Sequence, residues 1–286
     1  MHLLSWITFL PLAGALVILC LPKDQVQAIR AAALVTTGAT LAVSLVALAR
    51  FLPALGAANG LPMQFMERAD WIPSFNVHYF MGADGLSLPL IVLTTLLGFL
   101  AAVYSCGITT RVKEFFFWYL LLEVGMLGVF AALDMFLFYV FWELTLVPMY
   151  FLIGIWGGPK KEYAAIKFFL FTLFGSVFML LGILALYFNV NPHTFDMLEL
   201  MKATHGFSRE FQILVFIAFY LGFAVKIPAF PFHTWLPLAH VEAPTPVSVI
   251  LAGVLLKMGV YGILRVSYAI LPAGFEWFLP WLVVIA

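Results

Sequence analysis

The sequence predicts an all-α polytopic membrane protein, a multi-span helical bundle whose seventh helix is discontinuous. Three observations carry that expectation. Of the 286 residues, 64% are hydrophobic and 10% charged, with a mean hydropathy of +1.08, whereas soluble domains carry about 25% charged residues. The apolar residues fall into runs of about 20, the length that crosses a hydrocarbon core of about 30 Å. One such run reaches Lys226 and then meets Pro228, Pro231, Pro237, Pro244 and Pro246. A proline lacks an N–H and clashes with the carbonyl four residues back, so the helix breaks there.

The spans are expected near 3–21, 31–51, 85–105, 115–133, 135–156, 164–187, 211–240 (broken near 227–231) and 247–270, with a ninth beginning near 276. The first run is preceded only by His2 and is longer than a signal-peptide core. It reads as a retained span, with a signal peptide as the lesser alternative. The ninth run meets Ala286 after about 16 Å of helix at 1.5 Å per residue, so the sequence is expected to be a fragment of a longer protein. Loops after spans one, three and five carry Lys23, Arg30, Arg111, Lys113, Lys160 and Lys161; those after two, four and six carry Arg68, Lys202 and Arg209. The excess places the odd-numbered loops on the cytoplasmic side. Segments 53–82 and 188–209 are the longest connections, and 195–202 has the makings of a short interfacial helix. Asp84 and Asp134 read as turn or helix-cap residues.

Fourteen basic and fourteen acidic residues balance, so no nucleic-acid footprint is present. Cys20 and Cys106 are isolated and read as free thiols packed as small hydrophobes. There is no GxGxxG fingerprint, P-loop, Gly-x-Ser-x-Gly elbow or cysteine cluster for iron and sulfur. The chain shows no redox or hydrolytic centre of its own.

The charges inside the spans carry the functional argument. Pro228 and Pro231 are expected to leave the carbonyls of Ala224 and Ile227 without helical partners. Broken helices persist in membranes only where protein or water re-satisfies such groups. Lys226 sits at that break, Glu143 lies in the fifth span about 12 Å from its start, and Lys257 lies about 15 Å into the eighth. Glu123 lies in the fourth span. Intramembrane charges are costly and mark ion pathways. A lysine whose charge depends on a movable carboxylate can bind and release a proton near neutrality. Glu143 with Lys226 is the first candidate pair, Lys257 is expected to act in series with Lys226, and Glu123 joins the candidates. His233 and His240 come after the break, and histidine can pass protons along a water chain. The bland alternatives are a static Glu143–Lys226 ion pair, a snorkelling Lys257, a hydrogen-bonded protonated Glu123 and structural histidines. Lys167 and Arg265 read as interfacial anchors, as do Trp6, Trp118, Trp156 and Trp277.

The stretches DMFLFYVFWELTLVPMYFLIGIWGG, YAAIKFFLFTLFGS and VKIPAFPFHTWLPLAHVEAPTPVSVILAGVLLKMGVYGILR resemble the antiporter-like M (chain 4) subunits of bacterial respiratory complex I. The resemblance is specific over about 134–266. It implies a fold of fourteen transmembrane helices with two inverted five-helix repeats, each with a broken helix. On that basis residues 1–110 hold N-terminal helices one to three. Residues 111–270 hold the first, proton-conducting repeat, and 271–286 the start of the second. The family's fifth-helix glutamate maps to Glu143, its broken-helix lysine to Lys226 and its eighth-helix lysine to Lys257. Its exit-side glutamate on the twelfth helix has no position here. The implied function is proton translocation coupled to electron transfer in other subunits. NADH, FMN, iron–sulfur clusters and quinone are then bound elsewhere in the complex and no cofactor by this chain. The implied partners are other membrane-arm subunits, adjacent antiporter-like ones above all, with lipid, water and protons. The implied site of action is the bacterial inner membrane. Two other readings stay open: a subunit of a multi-subunit sodium–proton antiporter, and a non-transporting scaffold.

Overall fold

A computed structural model describes residues 2–53 and 63–285. Seven segments among the described residues are long and apolar enough to cross a membrane. They are α1 (Leu3–Cys20), α2 (Val26–Phe51), α3 (Ser87–Ser105), α4 (Val112–Ala131), α5 with α6 (Met135–Leu144 and Leu146–Trp156, together span five), α7 (Lys161–Asn189) and span eight (Thr245–Tyr268). In lipid every backbone group must be satisfied internally, which is why apolar runs of this length become helices. The short helix α8 (Met197–Ala203) occupies the connection where one was expected. The broken seventh helix is α9 (Arg209–Lys226), an irregular turn, and α10 (Leu236–Glu242). The last helix, α13, runs Pro272–Ile285.

Polar residues start three of these helices, and Asp134 is the one expected from the sequence. Asp134 Oδ1 accepts from the N–H groups of Phe136 and Leu137, Asp196 Oδ1 from Leu198 and Glu199, and Ser208 Oγ from Phe211. Asp134 also takes the His78 N–H at 3.1 Å. Burial pushes its carboxyl up despite these three backbone donors.

The long connection before α3 holds structure that hydropathy did not announce. Residues 54–62 lie outside the described residues, but β1 (Gln64–Ile72) and β2 (Val77–Ala83) pair as an antiparallel hairpin. Asn76 closes its turn at φ 55°, the left-handed conformation that asparagine tolerates. The hairpin folds under one end of the bundle. Glu67 accepts from the N–H of Leu4 at 2.8 Å and of Ser5 at 3.2 Å, capping α1 from outside. Phe80 accepts from the N–H of Leu133, and Arg68 pairs with Asp196 at 3.1 Å.

The opposite end is tied as well. Lys113 donates to the carbonyls of Leu19 and Leu21, Arg30 to Ile108 and Trp156 to Thr110. Glu242, at the end of α10, accepts from the Lys160 N–H at 2.8 Å, and its carbonyl accepts from Gly158. Between these two laced ends, α4 is the most enclosed span, packed against α1, α2, α3, α5 and α6.

Span eight is not a plain α-helix. It runs as α11 (Thr245–Ile250), a π segment Leu251–Leu255, α12 (Leu256–Gly262) and a second π segment Ile263–Tyr268. Each π turn holds an extra residue, which rotates the remainder of the span by about 100° relative to an α-helical register. Arg265, expected as an interfacial anchor, is not one. Its side chain turns inward, is only 6% exposed, and pairs with Asp84 at 2.6 Å. Asp84 also accepts from the N–H groups of Leu86 and Ser87 at the head of α3. Burial alone would raise the Asp84 carboxyl, but the Arg265 bond and charge outweigh it and hold it below the usual range.

Candidate functional site

Span five parts at Thr145, midway along its 22 residues. The Thr145 hydroxyl donates to the Trp142 carbonyl at 2.8 Å and accepts from Lys226 Nζ at 3.2 Å. The same ammonium stands 5.1 Å from the centroid of the Trp142 ring, a cation–π contact. Lys226 is 2% exposed. The last residue of α9 therefore ends at mid-depth of the bundle, enclosed by neutral groups.

Glu143 lies within electrostatic reach of this lysine. It is half-buried, its Oε1 is enclosed without a hydrogen-bond partner, and Tyr139 and Ser176 are its polar neighbours. The charges of Glu143 and Lys226 interact, yet among the described residues no direct ion pair joins them: Lys226 rests on Thr145 instead. The structure thus brings the two together as neighbours, not as a clasped pair. Thr145 and Trp142 were not singled out from the sequence, although both lie in the FWELT stretch. A hydroxyl two residues from an intramembrane glutamate is a signal that could have found Thr145.

The break is better satisfied than the prolines suggested. The Ala224 carbonyl does find a partner, the N–H of Ala229 at 2.9 Å. The Val225 carbonyl accepts from Trp235 Nε1 at 2.9 Å. Buried Trp235 folds the chain back against the end of α9. His233 stacks near Phe230, with ring centroids 5.7 Å apart, and its Nδ1 is buried without a partner. His240 contacts Ser248 through Nδ1, which joins α10 to α11.

Lys257 is placed differently. It is exposed on the surface of the chain and donates to the Ala252 carbonyl at 2.6 Å. Gly259, two residues on, is the position that meets Ile227 and the Phe223 carbonyl of α9. Two residues are about 200° apart on a helix, so Lys257 points away from α9. The structure does not bring Lys226 and Lys257 into contact. Glu123 is 1% exposed, and neither of its carboxyl oxygens has a hydrogen-bond partner. Its Oε1 lies 2.7 Å from where a side chain on Gly98 would begin, so that glycine makes its room. Tyr119, one turn earlier, donates to the Gly98 carbonyl at 2.7 Å. Lys167 stands 6.0 and 5.8 Å from the rings of Tyr163 and Phe171, half-exposed, as an anchoring residue does.

Known proteins share this sequence and arrangement. A family model described as NADH:quinone oxidoreductase/Mrp antiporter, transmembrane, matches residues 132–286. The NADH-quinone oxidoreductase subunit M of Rhodobacter capsulatus is 45% identical over 96% of this chain and 55% of that relative. The NADH-ubiquinone oxidoreductase chain 4 of Marchantia polymorpha is 42% identical over 98% of this chain and 55% of that relative. The chain spans about half the length of the curated relatives it matches. Among solved structures, a chain of respiratory complex I from Thermus thermophilus aligns at TM-score 0.83 and 31% identity, covering 99% of this chain and 56% of the other. A chain of the Mrp complex from Dietzia aligns at TM-score 0.78 and 23% identity, covering 96% and 29%, which shows a shared fold. With its matched region running from the end of α4 through both breaks to α13, this chain belongs to the NADH:quinone oxidoreductase/Mrp antiporter transmembrane family.

Proposed function

We propose that the chain is a proton-translocating membrane-arm subunit of an NADH–quinone oxidoreductase in a bacterial inner membrane, driven by electron transfer in other subunits. The observation that carries this reading is Lys226. It is a buried cation at mid-depth, at the end of a broken helix, held by a neutral hydroxyl with a carboxylate in electrostatic reach but not in contact. A charge clasped by a carboxylate is held in one state; a charge influenced by a nearby carboxylate changes state when that carboxylate moves. Movement of Glu143 relative to Thr145 then loads or unloads Lys226. Glu123, His233, His240 and Lys257 are proposed as further stations. Because Lys257 faces outward, transfer between it and Lys226 runs through water or an adjoining part of the assembly. Residues 111–270 are proposed as the conducting repeat, with neighbouring antiporter-like subunits as partners.

The test is proton pumping in vesicles containing the assembled full-length complex. Lys226→Ala should leave NADH oxidation largely intact and cut pumping at least about tenfold, or ~1.4 kcal/mol of barrier. Normal pumping in an assembled variant overturns the relay. Adding Lys257→Ala should cost little more if the two share one path, and independent losses should add if they do not. A sodium–proton exchange role is the second reading, favoured by the Mrp half of the family description. Sodium-dependent acidification without NADH oxidation would establish it.

A further inference from the structure

Arg265 and Asp84 are not used by the relay, yet they form a buried ion pair inside a membrane span. The pair belongs to a longer chain of hydrogen bonds. Arg265 Nη2 donates to Asp84 Oδ1 at 2.6 Å and Arg265 Nε donates to the Tyr261 hydroxyl at 3.2 Å. Tyr261 donates in turn to the Phe130 carbonyl at 3.2 Å and sets its ring edge-on to Phe130. This chain crosses the bundle from the head of α3, through span eight, to the last turn of α4. It lies about 12 Å of helix beyond Lys257 toward the hairpin end. Val266, Ile270 and Leu271, which follow Arg265 in sequence, and Leu133, which follows Phe130, are all buried.

We infer that Arg265, held by Asp84 and Tyr261, is the barrier that closes the hairpin end of the bundle to protons arriving from the Lys226 layer. The reading rests on the proposed relay and adds to it the residue that decides on which side the relay is shut. The chemistry lies in what each link can exchange. A guanidinium does not release a proton in proteins, so a chain containing it as a link hands none on. Tyr261 accepts from Arg265, which directs its own proton to the Phe130 carbonyl, a backbone oxygen that passes nothing further. Asp84 Oδ1 is engaged by Arg265, Leu86 and Ser87 together. The fixed cation also repels a hydronium approaching through water, as cationic constrictions do in water pores. Arg265 lies within the second π segment and is buried there.

The test reads passive leak, which a merely structural role in pumping would not move. Vesicles carrying the assembled full-length complex are given a pH gradient without NADH, and its decay is monitored with an internal dye. Arg265→Met and Arg265→Gln should speed the decay about tenfold, equivalent to ~1.4 kcal/mol of barrier. Arg265→Lys, which keeps a cation, should decay much more like the native complex. Gradients as tight as native in assembled Met and Gln variants overturn the barrier. Should those variants fail to assemble, Asp84→Ala decides: it removes the acceptor and frees the guanidinium, so a leak supports the barrier and a tight vesicle overturns it. If Lys226→Ala abolishes pumping while the Arg265 variants stay tight, the barrier alone fails. If Lys226→Ala pumps normally while they leak, the relay fails and the barrier stands.

Discussion

Lys226 and Glu123 are both buried ionisable side chains, but their surroundings differ. Lys226 has a hydroxyl and an aromatic face; Glu123 has no hydrogen bond at either oxygen. Enclosing a polar group without a partner costs about 1–3 kcal/mol, so packing alone gives no reason for a carboxyl at position 123. Replacing it with an apolar residue of similar size should remove that penalty. Glu123→Leu is therefore expected to unfold in detergent at the native temperature or higher, while pumping by the assembled complex falls. A destabilised protein with unaffected pumping would return Glu123 to a packing role. The sequence put Glu123 among the candidates with a hydrogen-bonded alternative. The missing partner is a fact of the α3–α4 packing around Gly98, which no single stretch displays.

Among the elements, α7 is the longest helix, 29 residues from Lys161 to Asn189, and its N-terminus has no side-chain cap of its own. Glu242 supplies one from the end of α10 through the Lys160 N–H. A side chain on Gly158 would begin 2.8 Å from that carboxylate, and one on Gly157 would begin 2.9 Å from the Glu242 carbonyl, so both glycines are needed for the approach. Glu242→Ala should lower unfolding stability by about 1–2 kcal/mol, the usual effect of losing a cap. Glu242→Gln, which still accepts, should retain most of it; equal losses in both would contradict the capping role. Most spans were legible from hydropathy because an apolar run long enough to cross lipid has one good conformation. The break after Lys226 was legible because proline chemistry is local. The hairpin at 64–83 was not, since nothing there marks a strand against so apolar a background. The inward turn of Arg265 was also hidden. Its place near the end of span eight suggested an anchor, and the partner that holds it inward, Asp84, lies 181 residues away in sequence.

At the scale of the whole molecule, the bundle is laced by polar bonds at both ends and jointed in between. The parting of span five at Thr145, the end of α9 at Lys226 and the packing of Gly259 on Ile227 lie together in one layer. Ends that are tied and a middle that is hinged make helix length adjustable where it is needed for proton exchange. Hydrophobic mismatch is therefore the external variable to which this layer should respond, since a bilayer thicker or thinner than the protein's apolar band is met by tilting and kinking. Reconstitution into phosphatidylcholine vesicles of increasing acyl-chain length should give a pumping rate with an optimum at intermediate thickness, while NADH oxidation with an uncoupler present varies less. A flat response would show that the hinges are rigid in place. With the expected optimum, the joints at Thr145 and Lys226 make the thickness of the surrounding lipid, and not only the chemistry of the side chains, a determinant of how often the proton moves.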